Sequence, residues 1–475
     1  MDFLDKFEIE SFRIERLYGY KNISMKMKGK TTIFVSENGA GKTTILNALR
    51  MVLEKDFLSL RQIDCKSIFI KFRGHCEIEI NNSDLKPGID REVIEFVMNE
   101  LGVNEEFWNT HDIREFINQV SKNNIIDIRN NSLLSDLYFE SPYLETSFKN
   151  DLKVLMANVN NYFNKNNSDK IELISKILEE KEIIFLPTYR RVEKNIEIKA
   201  DNEKNISSLR IRETKLHHDG ISYGLRDVEE RLKEITLDIE RTSNQGYRAL
   251  SARMLSDLIH HGNKKSIMET TGKLPLIEDL ERFLSRVEKP SIKNQLSYNN
   301  KKEINIIESI KDLYESDDVK KSTYLYYFLT QLDEVIKQTK EQEYKIAGFV
   351  KICNKYLKSS GDSKLLEFDQ KTLTVIVSDQ FTGKNIALND LSSGEKQVIS
   401  LMAIKYLSND RNKIILIDEP ELSLSLKWQR MILPDLSAGD NIIQIIAITH
   451  SPFIFENELS TCVSPMKIIK ESISD

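Results

Sequence analysis

The chain has 475 residues, long enough for two or three domains with sizeable cores. Its 68 Lys and Arg against 74 Asp and Glu give a net charge of −6, which argues against a uniformly basic nucleic-acid coat. Four cysteines without a C-x-x-C pair or metal-ligand spacing argue against a disulfide framework and a thiolate metal site, and fit a reduced, cytoplasmic protein. No uninterrupted apolar run is long enough to span a bilayer, so no membrane partner is expected. Met1-Asp2-Phe3-Leu4-Asp5-Lys6 places acids where a secretory signal needs positive charge. Only 17 glycines and 9 prolines favour long helices over a turn-rich β fold.

The first stretch reads as short strands at Phe7 to Ile14, Ile23 to Met27 and Thr31 to Val35, the last running into a glycine-rich loop. From Thr43 the period changes to that of a helix, with Ile45, Leu46, Leu49, Val52 and Leu53 on one face. Ile68 to Phe72 and Cys76 to Ile80, joined at Arg73-Gly74, complete an N-terminal lobe of residues 1–85. A helical, charged, Asn-rich insertion follows over 86–180. A core strand returns within 181–192 and ends in Pro187-Thr188-Tyr189-Arg190-Arg191.

Residues 193–358 read as a helical arm. Segments 226–235 and 237–241 fit solvated amphipathic helices, and the heptads are too broken for a long two-stranded coiled coil. A compact arm is therefore expected rather than a rod. His217-His218 and His260-His261 lack supporting acids or cysteines and read as surface-loop histidines. The strand at Leu373 to Val377 opens a C-terminal lobe over 359–475. Ile414 to Ile417 and Ile442 to Ile448 are apolar runs, as expected of parallel strands buried on both faces. The fold class is therefore α/β, with a large helical insertion between two lobes.

Four strings carry chemistry. In Ser36-Glu37-Asn38-Gly39-Ala40-Gly41-Lys42-Thr43-Thr44 the glycines let backbone N–H groups approach phosphate oxygens without a Cβ clash. Lys42 is expected at the β- and γ-phosphates of ATP, and the Thr43 hydroxyl on Mg²⁺. The first position of the P-loop pattern is Ser36 rather than glycine, which predicts a modified but working loop. In Leu391-Ser392-Ser393-Gly394-Glu395-Lys396-Gln397, Ser392 and Glu395 make a capping-box pattern. The exposed helix start at Ser393 and Gly394 is expected to meet a γ-phosphate held by a second subunit, with Glu395 in the same contact group.

The third string, Asp418-Glu419-Pro420-Glu421, ends a buried strand in acids, which is costly unless the carboxylates coordinate something. Asp418 suits Mg²⁺ and Glu419 suits polarising the attacking water. The fourth, Ile448-Thr449-His450-Ser451-Pro452, ends another buried strand in a histidine placed to reach the γ-phosphate.

These strings, in this order, resemble the ABC-type ATPase heads of the RecF, Rad50 and SMC group. Leu-Ser-Ser-Gly-Glu-Lys-Gln in the signature, with Leu17-Tyr18-Gly19-Tyr20-Lys21, Phe185-Leu186-Pro187-Thr188-Tyr189-Arg190-Arg191 and Asp418-Glu419-Pro420-Glu421-Leu422-Ser423-Leu424, is similar to the overcoming-lysogenization-defect-like ATPases of phage defence. Among these the PARIS ATPase subunits match best, with Septu and retron-associated ATPases as competitors. The resemblance implies an ABC-type P-loop ATPase head that forms a homo-dimer or higher homo-oligomer through composite ATP sites. It also implies a phage trigger protein and a separate effector, a toxic nuclease, because the stretch after His450 is too short for the nuclease some relatives fuse there. A DNA-repair ATPase that binds DNA is the alternative reading.

Overall fold

The computed structural model describes residues 7–35, 41–81, 95, 168–187, 225–260, 272–287, 306–316, 318–361, 363–408 and 411–471. Along the chain, β1 (Ile9–Leu17), β2 (Lys21–Lys26) and β3 (Thr31–Val35) precede α1 (Lys42–Leu53), β4 (Ser67–Phe72) and β5 (Glu77–Asn81). Then come α2 (Ser168–Ile177), β6 (Lys181–Leu186), α3 (Leu225–His260), α4 (Ile277–Val287), α5 (Ile306–Glu315) and α6 (Thr323–Ser360). The rest comprises β7 (Lys364–Asp369), β8 (Thr374–Asp379), β9 (Asn385–Ile386), α7 (Ser393–Tyr406), β10 (Asn412–Asp418), α8 (Leu426–Ser437), β11 (Ile442–Thr449), β12 (Val463–Pro465) and β13 (Lys467–Lys470). Two compact units result: Met1–Gly220 with Asn409–Asp475, and Ile221–Ser408. Residues 359–408 of the expected C-terminal lobe thus fall in the second unit and 409–475 in the first.

The first unit holds two sheets. One is antiparallel, in the order β13-β2-β1-β4-β5; the other is parallel, in the order β12-β3-β11-β10-β6. The helix face expected from the sequence is the buried one: Ile45, Leu46, Leu49 and Val52 have no exposed surface. They share one core with Phe12, Ile14 and Met25 of the antiparallel sheet and with Ile414, Leu416, Ile446 and Ile448 of the parallel sheet. At about 1.5–3 kcal/mol for each fully buried aliphatic side chain, this face alone accounts for the placement of α1.

One polar residue interrupts the apolar run of β11. Gln444 is fully buried, accepts from the Ile9 N–H at 2.9 Å and the Glu8 N–H at 3.2 Å, and donates to the Ile9 carbonyl at 2.9 Å. Its amide acts as a piece of backbone, satisfying the start of β1 where it passes the parallel sheet.

The second unit is built on two long helices. Gly246 of α3 lies against α6 so closely that a Cβ there would stand 2.4 Å from Val335 Cγ1. Leu280, Phe283 and Leu284 of α4 join Leu250 and Leu332, Val335 and Ile336 in one core. Buried Arg286 makes a two-point pair with Glu343 at 2.6 and 2.8 Å, and its guanidinium also donates to the Gln370 carbonyl at 2.8 Å. Asp279 takes Arg282 at 2.6 Å and Lys340 at 2.7 Å, so α4 is tied to α6 by satisfied charges, and Arg286 joins the turn after β7 to them.

Two expectations shift. The helices read at 226–235 and 237–241 are one continuous α3, because Thr236 turns its hydroxyl back to the Leu232 carbonyl at 2.8 Å instead of ending the helix. Leu373 sits in the turn before β8 with φ of 55°, so that strand starts one residue later. His217, His218 and His261 lie outside the described residues, and His260 is the last residue of α3. Among the described residues, no helix is long and apolar enough to cross a membrane.

Candidate active site

Register places three functional strings side by side. In the parallel sheet Thr449 of β11 pairs with Val35 of β3, and Asp418 of β10 pairs with Ile448 of β11. The chain leaves β3, β11 and β10 at the same edge, the carboxyl ends of parallel strands, where open α/β sheets place their ligands. Gly41 caps α1 in the left-handed region at φ of 90°, and a Cβ there would stand 2.9 Å from Ile23 Cδ1. Only glycine takes that position without strain, and α1 presents its positive end to the same edge. Asn38, Gly39 and Ala40, with Ser36, lie outside the described residues.

The side chains converge. Thr43 Oγ1 donates to Asp418 Oδ2 at 2.8 Å, joining the loop end to the acid strand. Lys42 is buried, with Nζ 3.1 Å from His450 Nδ1, while His450 Nε2 lies 3.4 Å from Glu419 Oε1. An ammonium can only donate, so Nδ1 is the acceptor and the Nε2–H faces the carboxylate. The imidazole thus bridges the P-loop lysine to Glu419. Thr44 Oγ1 lies 3.4 Å from the Tyr18 hydroxyl, on the turn between β1 and β2. Glu419 holds φ of 50°, with its N–H bonded to the Ile448 carbonyl at 2.8 Å. A left-handed glutamate of this kind is stored strain, kept by the strands around it.

The electrostatics follow from crowding. Burial pushes the Lys42 ammonium below its ordinary pKa, against the pull of Glu419, Asp418 and Glu421. Burial pushes the Glu419 carboxyl upward, and the neighbouring Glu421 and Asp418 charges add to it while Lys42 opposes. A raised carboxylate is a better proton acceptor near neutral pH, which suits a group that polarises water. The adjoining Thr43 hydroxyl and Asp418 carboxylate are two hard oxygen donors at one point. That donor set fits Mg²⁺, which when bound supplies charge neutralisation at phosphate oxygens.

Sequence reasoning missed Glu421. Its Oε1 accepts from the His450 N–H at 2.9 Å and the Ser451 N–H at 3.1 Å. Nothing in the spacing of the acidic string tells which carboxylate turns back onto the neighbouring strand end.

In the second unit, the capping box forms as the residue pattern suggests. Ser392 Oγ accepts from the Glu395 N–H at 3.3 Å, and Glu395 Oε2 accepts from the Ser392 N–H at 2.6 Å. Lys364 Nζ adds 3.2 Å contacts to both Glu395 oxygens, and this carboxylate is only 2% exposed. Gly394 is buried while Ser392 and Ser393 are exposed; the Ser392 hydroxyl is engaged in the cap, and Ser393 offers a second accessible hydroxyl at this helix start.

Comparison with known proteins decides the family. The family AAA_15, described as an AAA ATPase domain, matches residues 3–455. The chain belongs to this family of AAA ATPase domains. Its fold is α/β, with a large helical region. A retron Vc95 probable ATPase of Vibrio cholerae serotype O1 biovar El Tor is 38% identical over 101 residues, a match spanning 19% of this chain and 19% of that relative. Among solved structures, the Smc head domain of Pyrococcus furiosus bound to the C-terminal domain of ScpA is 15% identical at a TM-score of 0.31, covering 98% of this chain and 96% of that one. The Smc head of Pyrococcus yayanosii is 13% identical at the same TM-score, covering 98% and 97%.

Proposed function

We propose that this AAA ATPase binds and hydrolyses ATP as the sensor or scaffold subunit of an anti-phage defence system, controlling a separate effector, a toxic nuclease, through ATP-dependent association of two heads. The observation that carries the ATPase part is the convergence of Lys42, Thr43, Asp418, Glu419 and His450 at three adjacent strand ends. The defence part is supported by the retron-associated relative and by the strings that resemble phage-defence ATPases. The retron match sets a retron-associated ATPase beside AriA, the PARIS ATPase subunit, as the finer assignment.

The residues divide the work. Thr43 and Asp418 would hold Mg²⁺, which would neutralise charge on phosphate oxygens, and Lys42 would meet the β- and γ-phosphates. His450 now accepts from Lys42 at Nδ1; once phosphate oxygens draw the ammonium away, Nδ1 must take up a proton before it can donate to the γ-phosphate. Glu419 orients the attacking water, held by the Nε2–H. The exposed Ser393 of a second copy closes the site, which makes head association depend on nucleotide.

The test mixes Lys42→Ala with Ser393→Arg chains. Neither hydrolyses ATP alone, and mixed dimers regain one intact site each, so activity returns on mixing. Absence of any rescued hydrolysis overturns the composite site. DNA stimulation of hydrolysis with a steep salt dependence would favour the DNA-repair reading instead.

A further inference from the structure

We propose that Glu421 is a positioning residue, a clamp that fixes His450 through the backbone and does not itself act on water, metal or phosphate. The proposal rests on the ATPase reading above and adds a division of labour among the three acids of one string. Asp418 is bonded to Thr43 and Glu419 faces the His450 ring. Glu421 does neither: a single oxygen, Oε1, gathers the successive N–H groups of His450 and Ser451 at 2.9 and 3.1 Å. Two adjacent amides bound to one carboxylate oxygen define the turn that follows β11, much as paired amides define an anion nest.

The clamp is built into a larger unit. Ser451 Oγ donates to Gln429 Oε1 at 2.6 Å, and buried Gln429 donates through Nε2 to the Leu424 carbonyl at 2.9 Å. The turn after β10 and the turn after β11 are therefore one hydrogen-bonded body. The ring of His450 gains its place between Lys42 Nζ and Glu419 Oε1 from this body: Glu421 holds the His450 N–H, while the Ser451 N–H is shared with Thr449 Oγ1 at 3.0 Å, and Thr449 itself is paired with Val35 in the sheet. A shift of about 1 Å in such a group costs on the order of 100-fold in rate.

Three substitutions test it, read as kcat and KM for ATP with the full-length chain. Glu421→Gln keeps an amide oxygen able to accept both N–H groups, and retains most of kcat. Glu421→Asp keeps the charge but withdraws the acceptor by one methylene, and loses kcat by on the order of 100-fold with little change in KM. Glu421→Ala matches Glu421→Asp; if it fails to fold, the Gln and Asp variants decide between them. The reverse order, an inactive Glu421→Gln beside an active Glu421→Asp, shows that the charge acts in catalysis and overturns the clamp. Full activity in Glu421→Asp and Glu421→Ala alike overturns it too. The unmodified chain and Glu419→Gln serve as controls: an unmodified chain that does not hydrolyse ATP removes the ATPase reading, and an active Glu419→Gln removes only the role of Glu419, whereas an active unmodified chain with inactive Glu421→Gln removes the clamp alone.

Discussion

The strand-end site of the first unit and the helix start of the second, both of which meet phosphate in the proposed function, hold their polar groups by opposite means. At the strand ends the partners come from far apart in the chain: Lys42 meets His450 and Thr43 meets Asp418. At the helix start, Ser392 and Glu395 satisfy each other across three residues, and one outside cation, Lys364, completes the group. The first arrangement gathers carboxylates about a buried lysine, and burial, with the neighbouring acids adding to it, pushes the Glu419 carboxyl upward. The second settles its charge internally and leaves the exposed Ser393 hydroxyl without a part in the cap. Reactivity belongs where charges are crowded, and recognition where they are settled.

The sharpest way to break this contrast is Glu419→Gln. The amide keeps the shape of the strand end but cannot polarise water, so kcat should fall by about 10²–10⁴-fold while ATP still binds. Chains carrying it should accumulate as ATP-bound dimers in size-exclusion chromatography. Unchanged turnover would remove Glu419 from the reaction and with it the distinction between the two regions.

A smaller effect tests the settled side. Lys364→Met leaves the nearly buried Glu395 carboxylate with its backbone partner alone. With Lys364 itself partly solvated, the loss should be about 1–3 kcal/mol of stability, read by denaturant unfolding. Lys364→Arg should restore much of it, because the pair is needed for charge and reach rather than for the ammonium itself. An unaffected Lys364→Met would mean that the capping box stands without its cation.

The same contrast explains what could be read from the sequence. The apolar runs at Ile414 to Ile417 and Ile442 to Ile448 announce buried parallel strands, and the period after Thr43 announces α1, because burial imposes a local repeat. The capping box was legible too, being a local pattern of four residues, Ser392 to Glu395. Gln444 was not: a polar residue inside an apolar run gives no sign that it completes the backbone of β1, a strand at the other end of the chain. Lys364 and Glu421 escaped notice likewise, since their partners are chosen by the fold. The division of 359–475 between two units was hidden because a change from helical to strand texture marks an element, not the core against which it packs.

The least disruptive measurement uses two cysteines as reporters, one in each unit. Cys76 of the first unit is exposed, whereas Cys353 of α6 is fully buried and burial pushes its thiol well above the ordinary range. The thiolate is the reactive form, so a high pKa and lack of access both slow modification. With a thiol reagent at neutral pH, Cys76 should react at once and Cys353 only as fast as the second unit opens. ATP bound at the strand ends should slow Cys353 modification further if the signature helix start is engaged by a second copy, and leave Cys76 as it was. Equal protection of both thiols would mean that nucleotide tightens the chain throughout, and the two regions would no longer be separable by their stability. Rapid reaction of Cys353 without nucleotide would show instead that the helical unit opens freely, so that its settled charges position the helix start without holding the unit closed.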